Sequence, residues 1–228
     1  AKVPQISATE KAALHAGEPW WEKDIFMGRI NWDKLHNIKP LALTKQEQAF
    51  LDNETETLCA MLDDWQINHV DHDLPETVWQ YIKDAGFMGL VIDKKYGGLG
   101  FSEHAHSRIV MKIATRSITA AITVMVPNSL GPGELLYHYG TAEQKDYYLP
   151  RLAKGKEVPC FALTSPEAAS DAVSIPDYGI VCKDTFEGKE VLGIKLMVDK
   201  RYITLAPVAT LIGLAFQLRD PNNLLPEG

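Results

Sequence analysis

Cysteine is scarce in this 228-residue chain: Cys59, Cys160 and Cys182 stand 101 and 22 residues apart, and no Cys-x-x-C pair occurs. An odd number at such spacings suggests neither a disulfide framework nor a zinc site, so a reducing compartment fits. Basic residues are outnumbered, 23 against 30 acidic ones, for a net charge of −7. Without a diffuse positive field the chain is not expected to hold a phosphate backbone, which argues against nucleic acid as a partner. Long apolar runs are missing too. Ser117–Gly133 and Tyr202–Leu218 each go seventeen residues without formal charge, but the first is broken by Pro127 and Gly131-Pro132-Gly133 and the second by Pro207. A membrane span needs about 20 apolar residues. The amino-terminal AKVPQISATEKAALHAGEPWWEKD carries acids and no apolar h-region, so it does not read as a signal peptide, and a start at Ala1 suggests a processed or cut product.

What is present is an ordinary folding composition, 46% hydrophobic, 23% charged and 9% aromatic, able to bury roughly 70% of the unfolded surface. Residues 1–43 mix Trp20, Trp21, Trp32, Gly and Pro without a sustained period and read as an extended or irregular arm. Thr44 and Glu47 then form a T-x-x-E capping box, with Leu51, Leu58, Met61, Leu62 and Trp65 on one helical stripe and acids such as Asp63-Asp64 on the polar face. Pro75 suits a first helical position, Val78, Tyr81 and Ile82 continue a stripe, and Gly86 supplies a left-handed stop. Ser102 predicts an N-capped helix over about 103–116, followed by helices over 119–126, 134–139 and 143–149, the last capped by Thr141 and stopped by Pro150. From Val158 the period becomes two: Leu192, Ile194 and Leu196 alternate along one strand, and Ile212, Leu214, Phe216 and Leu218 along another. Glu187-Gly188 fits a hairpin turn between Gly179–Asp184 and Glu190–Met197. The expected class is therefore α+β: an arm (1–43), a helical domain (44–157) and a β domain (158–228) whose sheet is still being built at the last residue.

Several chemistry-bearing clusters have a bland alternative. His69-Val70-Asp71-His72-Asp73 offers four metal-ligating side chains in five residues, but neighbours on an irregular segment rarely converge on one point, so solvated loop polarity is expected. His104 and His106 fall on different helical faces and are expected at the surface. Gly97-Gly98-Leu99-Gly100 follows no strand and matches neither phosphate-binding pattern, so a helix-to-helix turn is expected. Phe161-Ala162-Leu163-Thr164-Ser165-Pro166-Glu167-Ala168-Ala169-Ser170-Asp171 differs in kind. Small residues and two free hydroxyls after a short apolar strand suit a flat polar heterocycle or a phosphate, with an ordinary strand-to-loop turn as the alternative.

The order YGGLG, YHYGTAEQKDYYLPRLAKG, FALTSPEAASDA and GIKL…KRYITLAPVA resembles the acyl-CoA dehydrogenases, most closely the bacterial long-chain enzymes of fatty-acid β-oxidation, over nearly the whole chain. The resemblance implies a helical N-terminal domain, a middle antiparallel β-barrel that is incomplete here, and a C-terminal helical bundle lying beyond Gly228. It implies FAD as cofactor, a fatty acyl-CoA as substrate, and α,β-dehydrogenation with electrons passed to an electron-transfer flavoprotein. It also implies a homo-oligomeric parent, cytoplasmic or peripheral to the inner membrane. The first signature maps onto Phe161, Ala162, Leu163, Thr164, Ala169 and Ser170, with Thr164 and its backbone toward the flavin ring and Ser170 toward flavin phosphate or the pantetheine arm. The second, usually W-I-T or W-I-S, maps onto Tyr202, Ile203 and Thr204, with Tyr202 packing on the flavin and Thr204 bonding near N5. Ala169 stands where the signature has Gly, Val173 replaces a usual small residue, and Met197-Val198 replace an Asn-Trp pair. The family's glutamate base comes from the bundle, so no residue of this chain is assigned as the base. The alternatives are an acyl-CoA oxidase-like flavoprotein and a non-catalytic interaction module of the same descent.

Overall fold

A computed structural model describes residues 21, 24, 25, 27–129, 131–168 and 171–225. The chain divides into two contact units, 1–42 and 43–228. In the first, Asn31 caps a short helix α1 (Trp32–His36) by accepting from the Lys34 amide at 3.0 Å. The Trp21 indole N–H donates to the Asn31 carbonyl at 3.0 Å, and its ring lies 5.7 Å from that of Trp32. Trp20 lies outside the described residues.

In the second unit the capping box forms. Thr44 Oγ1 accepts from the Glu47 amide at 3.2 Å and Glu47 Oε2 accepts from the Thr44 amide at 2.7 Å, opening α2 (Lys45–Asp52). The expected single helix through Trp65 does not. The chain kinks at Asn53, whose side-chain amide donates to the Ala49 carbonyl while the Thr55 hydroxyl donates to that of Phe50. Such side-chain bonds compete with the helical ladder. After α3 (Glu54–Met61), Asp63 accepts from the Gln66 amide and caps α4 (Asp64–Gln66), so the acid pair starts a new helix rather than lining an old one. Leu51, Leu58 and Leu62 are buried as the stripe requires, whereas Trp65 is 70% exposed. The polar run beyond it is helical rather than irregular: a π-turn spans Ile67–Asp71, and His72, in the left-handed region, lies with Nδ1 3.0 Å from the Asn68 carbonyl.

Pro75 sits just outside α5 (Glu76–Asp84) as its cap, and Gly86 (φ 88°) ends the turn that follows. The Gly97–Gly100 segment is a turn, folded back on its own approach. The Gly100 amide donates to the Ile92 carbonyl at 2.9 Å, and a Cβ on Gly98 would lie 2.1 Å from that oxygen. This return carries Phe101 to the core, 5.4 Å from the Phe50 ring. Ser102 caps α6 (Glu103–Ala114), as its position predicts. His106 corrects the surface expectation: it is buried, and the Nε2 atoms of both His104 and His106 are buried without a hydrogen-bond partner. Burial lowers the His106 pKa, opposed by Glu103 3.6 Å away.

Ser117 caps α7 (Ile118–Met125), and α8 (Pro132–Tyr139) leads to the Thr141–Gln144 capping box of α9 (Ala142–Ala153). Pro150 was expected to stop this helix but lies inside it. Burial of Leu149, Leu152 and Ala153 carries the last turn past the missing N–H. Leu58, Ile82, Phe87, Leu90, Ile109, Ile113 and Val124 form the centre of the core between these helices.

Strands begin at Pro159. β1 (Pro159–Ala162) pairs parallel with β4 (Leu211–Leu214), while β2 (Tyr178–Phe186) pairs antiparallel with β3 (Lys189–Met197) and parallel with β5 (Gln217–Arg219). Glu187 (φ 50°) and Gly188 (φ 77°) form the expected hairpin turn. The α+β class holds, with mixed rather than purely antiparallel pairing and no closed barrel among the described residues. The last strand breaks at Ala215-Phe216. Its first half ends with the Ala215 amide on the Ala162 carbonyl, and its second begins with the Gln217 amide on the Asp177 carbonyl, so one segment serves two sheets. Phe216 fills the space over Gly179, where a Cβ would lie 2.7 Å from its ring.

Candidate functional site

The first expected segment leaves β1 anchored. Phe161 and Ala162 lie opposite Gly213 and Leu214, and the Ala162 side chain is buried, so this pair is structural support for the loop that follows. In that loop Leu163 and Thr164 are half-buried, and the Ser165 amide donates to the Ala168 carbonyl at 2.9 Å, closing a tight turn over Pro166-Glu167. Ala169 and Ser170 lie outside the described residues.

The second segment is stitched directly to this turn. The Arg201 amide donates to the Thr164 carbonyl at 3.1 Å, and the Arg201 guanidinium donates to the Pro166 carbonyl at 2.9 Å and lies 5.1 Å from the Tyr202 ring centre. Tyr202 (φ 56°) and Leu205 (φ 63°) both adopt left-handed backbone, a cost of about 1–3 kcal/mol each that surrounding contacts must offset. The result presents Tyr202, 83% exposed, and an exposed Thr204, with Ile203 half-buried between them and accepting from the Ala206 amide at 3.1 Å. Among the described residues, none takes a hydrogen bond from the Thr164 or Thr204 hydroxyl.

Sequence reasoning missed the cluster beneath. Ser165, expected as a free hydroxyl, is fully buried and donates to Asp177 Oδ2. The Lys200 ammonium donates to the same oxygen at 2.8 Å, to the Leu163 carbonyl at 2.9 Å and to Ser165 Oγ at 3.4 Å, while the Asp199 amide donates to Asp177 Oδ1 at 2.8 Å. Burial alone would raise the Asp177 pKa, but these donors hold it at about 2. The signal that could have found the cluster is the hairpin register: Tyr178 opposite Met197 puts the residues just outside both strand ends, Asp177 and Asp199-Lys200, side by side. A concavity of about 340 Å³ opens beside it, walled by Pro166, Glu167, Pro176, Met197, Val198 and Asp199, so the residues that depart from the Asn-Trp pattern line a surface here. Val173 is exposed. A larger groove of about 570 Å³ lies among the helices, between Ile92, Phe101, Pro127, Tyr137 and Leu149, and includes none of the expected site residues.

Together these features give an exposed aromatic face, a nearby guanidinium and two available hydroxyls on a backbone fixed from below. That combination can hold a flat polar ring. Among the described residues no helix is long and apolar enough to cross a membrane.

Residues 39–156 match the pattern of the acyl-CoA dehydrogenase N-terminal domain. The human protein named very long-chain specific acyl-CoA dehydrogenase, mitochondrial, is 31% identical over 176 residues, 75% of this chain and 26% of its own length. A structure described as an electron transferring flavoprotein of Acidaminococcus fermentans overlays with a TM-score of 0.63 at 25% identity, over 75% of this chain and 43% of that one. Butyryl-CoA dehydrogenase from Megasphaera elsdenii shares the fold, with a TM-score of 0.62 at 22% identity over 75% and 44% of the two chains. The chain thus spans 26% of the human relative's length.

Proposed function

We infer the function from the premise that this chain belongs to the acyl-CoA dehydrogenase family, whose N-terminal domain matches residues 39–156. The reading is FAD-dependent α,β-dehydrogenation of a fatty acyl-CoA to the trans-2-enoyl-CoA, within fatty-acid oxidation, with an electron-transfer flavoprotein as acceptor and the work done outside the membrane or at its surface. Residues 44–157 form the helical domain of the parent enzyme in this reading, and 158–228 belong to its middle β domain.

The residues present fit the cofactor. A flavin needs a flat face to stack on and donors along one edge; Tyr202 offers the face, and Thr164 and Thr204 offer hydroxyls that no other described residue engages. FAD, when bound, supplies the two-electron acceptor that side chains lack. The chain's own task is orientation: Thr164 and Thr204 donate to the ring's polar edge, Tyr202 packs on it and screens it from water, and Ser170 binds flavin phosphate or the pantetheine arm. Hydroxyls held at that edge would favour negative charge on a bound flavin.

One observation carries this reading. The hydrogen bond from the Arg201 amide to the Thr164 carbonyl joins the two signature segments, 37 residues apart in sequence, into one surface. Titrating the chain with FAD and following flavin fluorescence tests it. Each hydroxyl contact is worth on the order of 1 kcal/mol net, so Thr164→Val with Thr204→Val should weaken FAD binding by about 2 kcal/mol; unchanged affinity in the double variant removes these residues from the cofactor site.

A further inference from the structure

We propose that Asp177 and Lys200 are positioning residues for the flavin-binding surface, an inference that rests on the reading above. They lock the Leu163–Ser165 turn to the Asp199–Arg201 approach, and so set where Thr164, Tyr202 and Thr204 stand.

The pair is almost sealed from solvent, with Asp177 reaching only the floor of the concavity beside Pro166 and Val198. Side-chain exposure is 8% for Lys200 and 2% for Asp177. All its bonds run outward to the two segments that frame the site. Lys200 holds the first segment through the Leu163 carbonyl and Ser165 Oγ, and Asp177 holds the second through the Asp199 amide and the first again through the Ser165 hydroxyl. Two residues beyond Lys200 the chain enters left-handed backbone at Tyr202, and again at Leu205. Non-glycine residues hold that conformation only where neighbours over-determine it. Residues 199–201 supply that restraint on the near side, where the Tyr202 and Thr204 side chains are exposed, while on the far side Leu205 and Val208 pack against the helical core. A buried ion pair is also a poor device for stability, since apolar residues of similar volume usually serve as well. What an apolar pair cannot do is bond to the Leu163 carbonyl and the Asp199 amide, which are the contacts that set the loops in register.

The decisive variant is therefore the paired Asp177→Leu with Lys200→Met, which removes both charges together and leaves no unpaired buried ion. Two measurements on the full chain separate positioning from packing. The first, by hydrogen exchange, needs no flavin. Amides of 199–204 should exchange at least about tenfold faster than in the unmodified chain, while those of the helices keep their protection. Faster exchange across the whole chain, or none at 199–204, overturns the proposal. The second is FAD titration with the flavin absorption band recorded. At a melting temperature close to that of the unmodified chain, the paired variant should bind FAD about tenfold more weakly and with an altered band shape. Equal affinity and an identical band overturn the positioning role even if stability has changed. Should the unmodified chain bind no FAD while the local loss of protection is seen, the flavin reading fails and the lock between the two segments stands.

Discussion

Glu47 shows how one side chain can close two local structures at once. One carboxylate oxygen accepts from the Thr44 amide at the start of α2, and the other accepts from both the amide and the hydroxyl of Ser102 at the start of α6, each at 2.7 Å. Burial alone would raise its pKa; the hydrogen bonds from Ser102 and Thr44 lower it instead from 4.5 to about 2. A carboxylate whose folded value lies below its unfolded one stabilises the fold fully above the unfolded value, near pH 4.5, and loses that contribution as pH falls through the folded one. The shift corresponds to on the order of 3 kcal/mol. Replacing Glu47 with Gln keeps the shape and removes the charge. Glu47→Gln should lower unfolding free energy at pH 7 by roughly 2–3 kcal/mol and flatten the loss of stability between pH 5 and 3 in urea melts. An acid limb as steep as that of the unmodified chain would show that the charge resides elsewhere. Asp177, also held at about 2, gives the β region an acid limb of the same sign.

At the scale of elements, α9 makes the sharpest test because it retains a residue that should end it. Pro150 removes one ladder bond and its ring crowds the preceding turn, yet the helix runs on to Ala153 with Leu152 and Ala153 buried. Pro150→Ala restores the N–H for the Asp146 carbonyl and gives up some restraint on the unfolded chain, so it should raise stability by about 1–2 kcal/mol, read as a higher melting temperature. A lower one would mean that the ring itself packs.

The same element shows what was legible in the sequence. Caps and turns were: Thr44–Glu47, Ser102, Thr141, Gly86 and Glu187-Gly188 are set by bonds within a few residues. Continuity was not, because Pro150 stays helical, Trp65 turns outward and the last strand breaks at Ala215 for reasons that lie in distant packing. The candidate site divides likewise. Its two segments were readable as motifs, but the Asp177–Lys200–Ser165 cluster depends on the β2–β3 register, which brings together residues 23 apart.

For the molecule as a whole, the balance of exposed apolar surface sets behaviour in solution. The helices bury a continuous core, whereas β3 lies at the edge of the β3-β2-β5 sheet and leaves Leu192, Ile194 and Leu196, alternate residues on one face, largely exposed. An unpaired edge beside an apolar face favours association, and natural sheets blunt such edges with lysine. A net charge of −7 opposes contact between copies, but its long-range part is screened over about 8 Å at physiological salt, and burial of apolar surface is not. The 228-residue chain should therefore self-associate at tens of micromolar, more strongly as sulfate is added, because excluded salts favour burial. Leu192→Lys with Leu196→Lys places charge on the exposed face without touching the β2 register, and should return the chain to a monomer in sedimentation velocity runs while its far-ultraviolet dichroism is retained. If the unmodified chain already sediments as a monomer across that concentration range with sulfate present, the exposed face of β3 is not a driver of association.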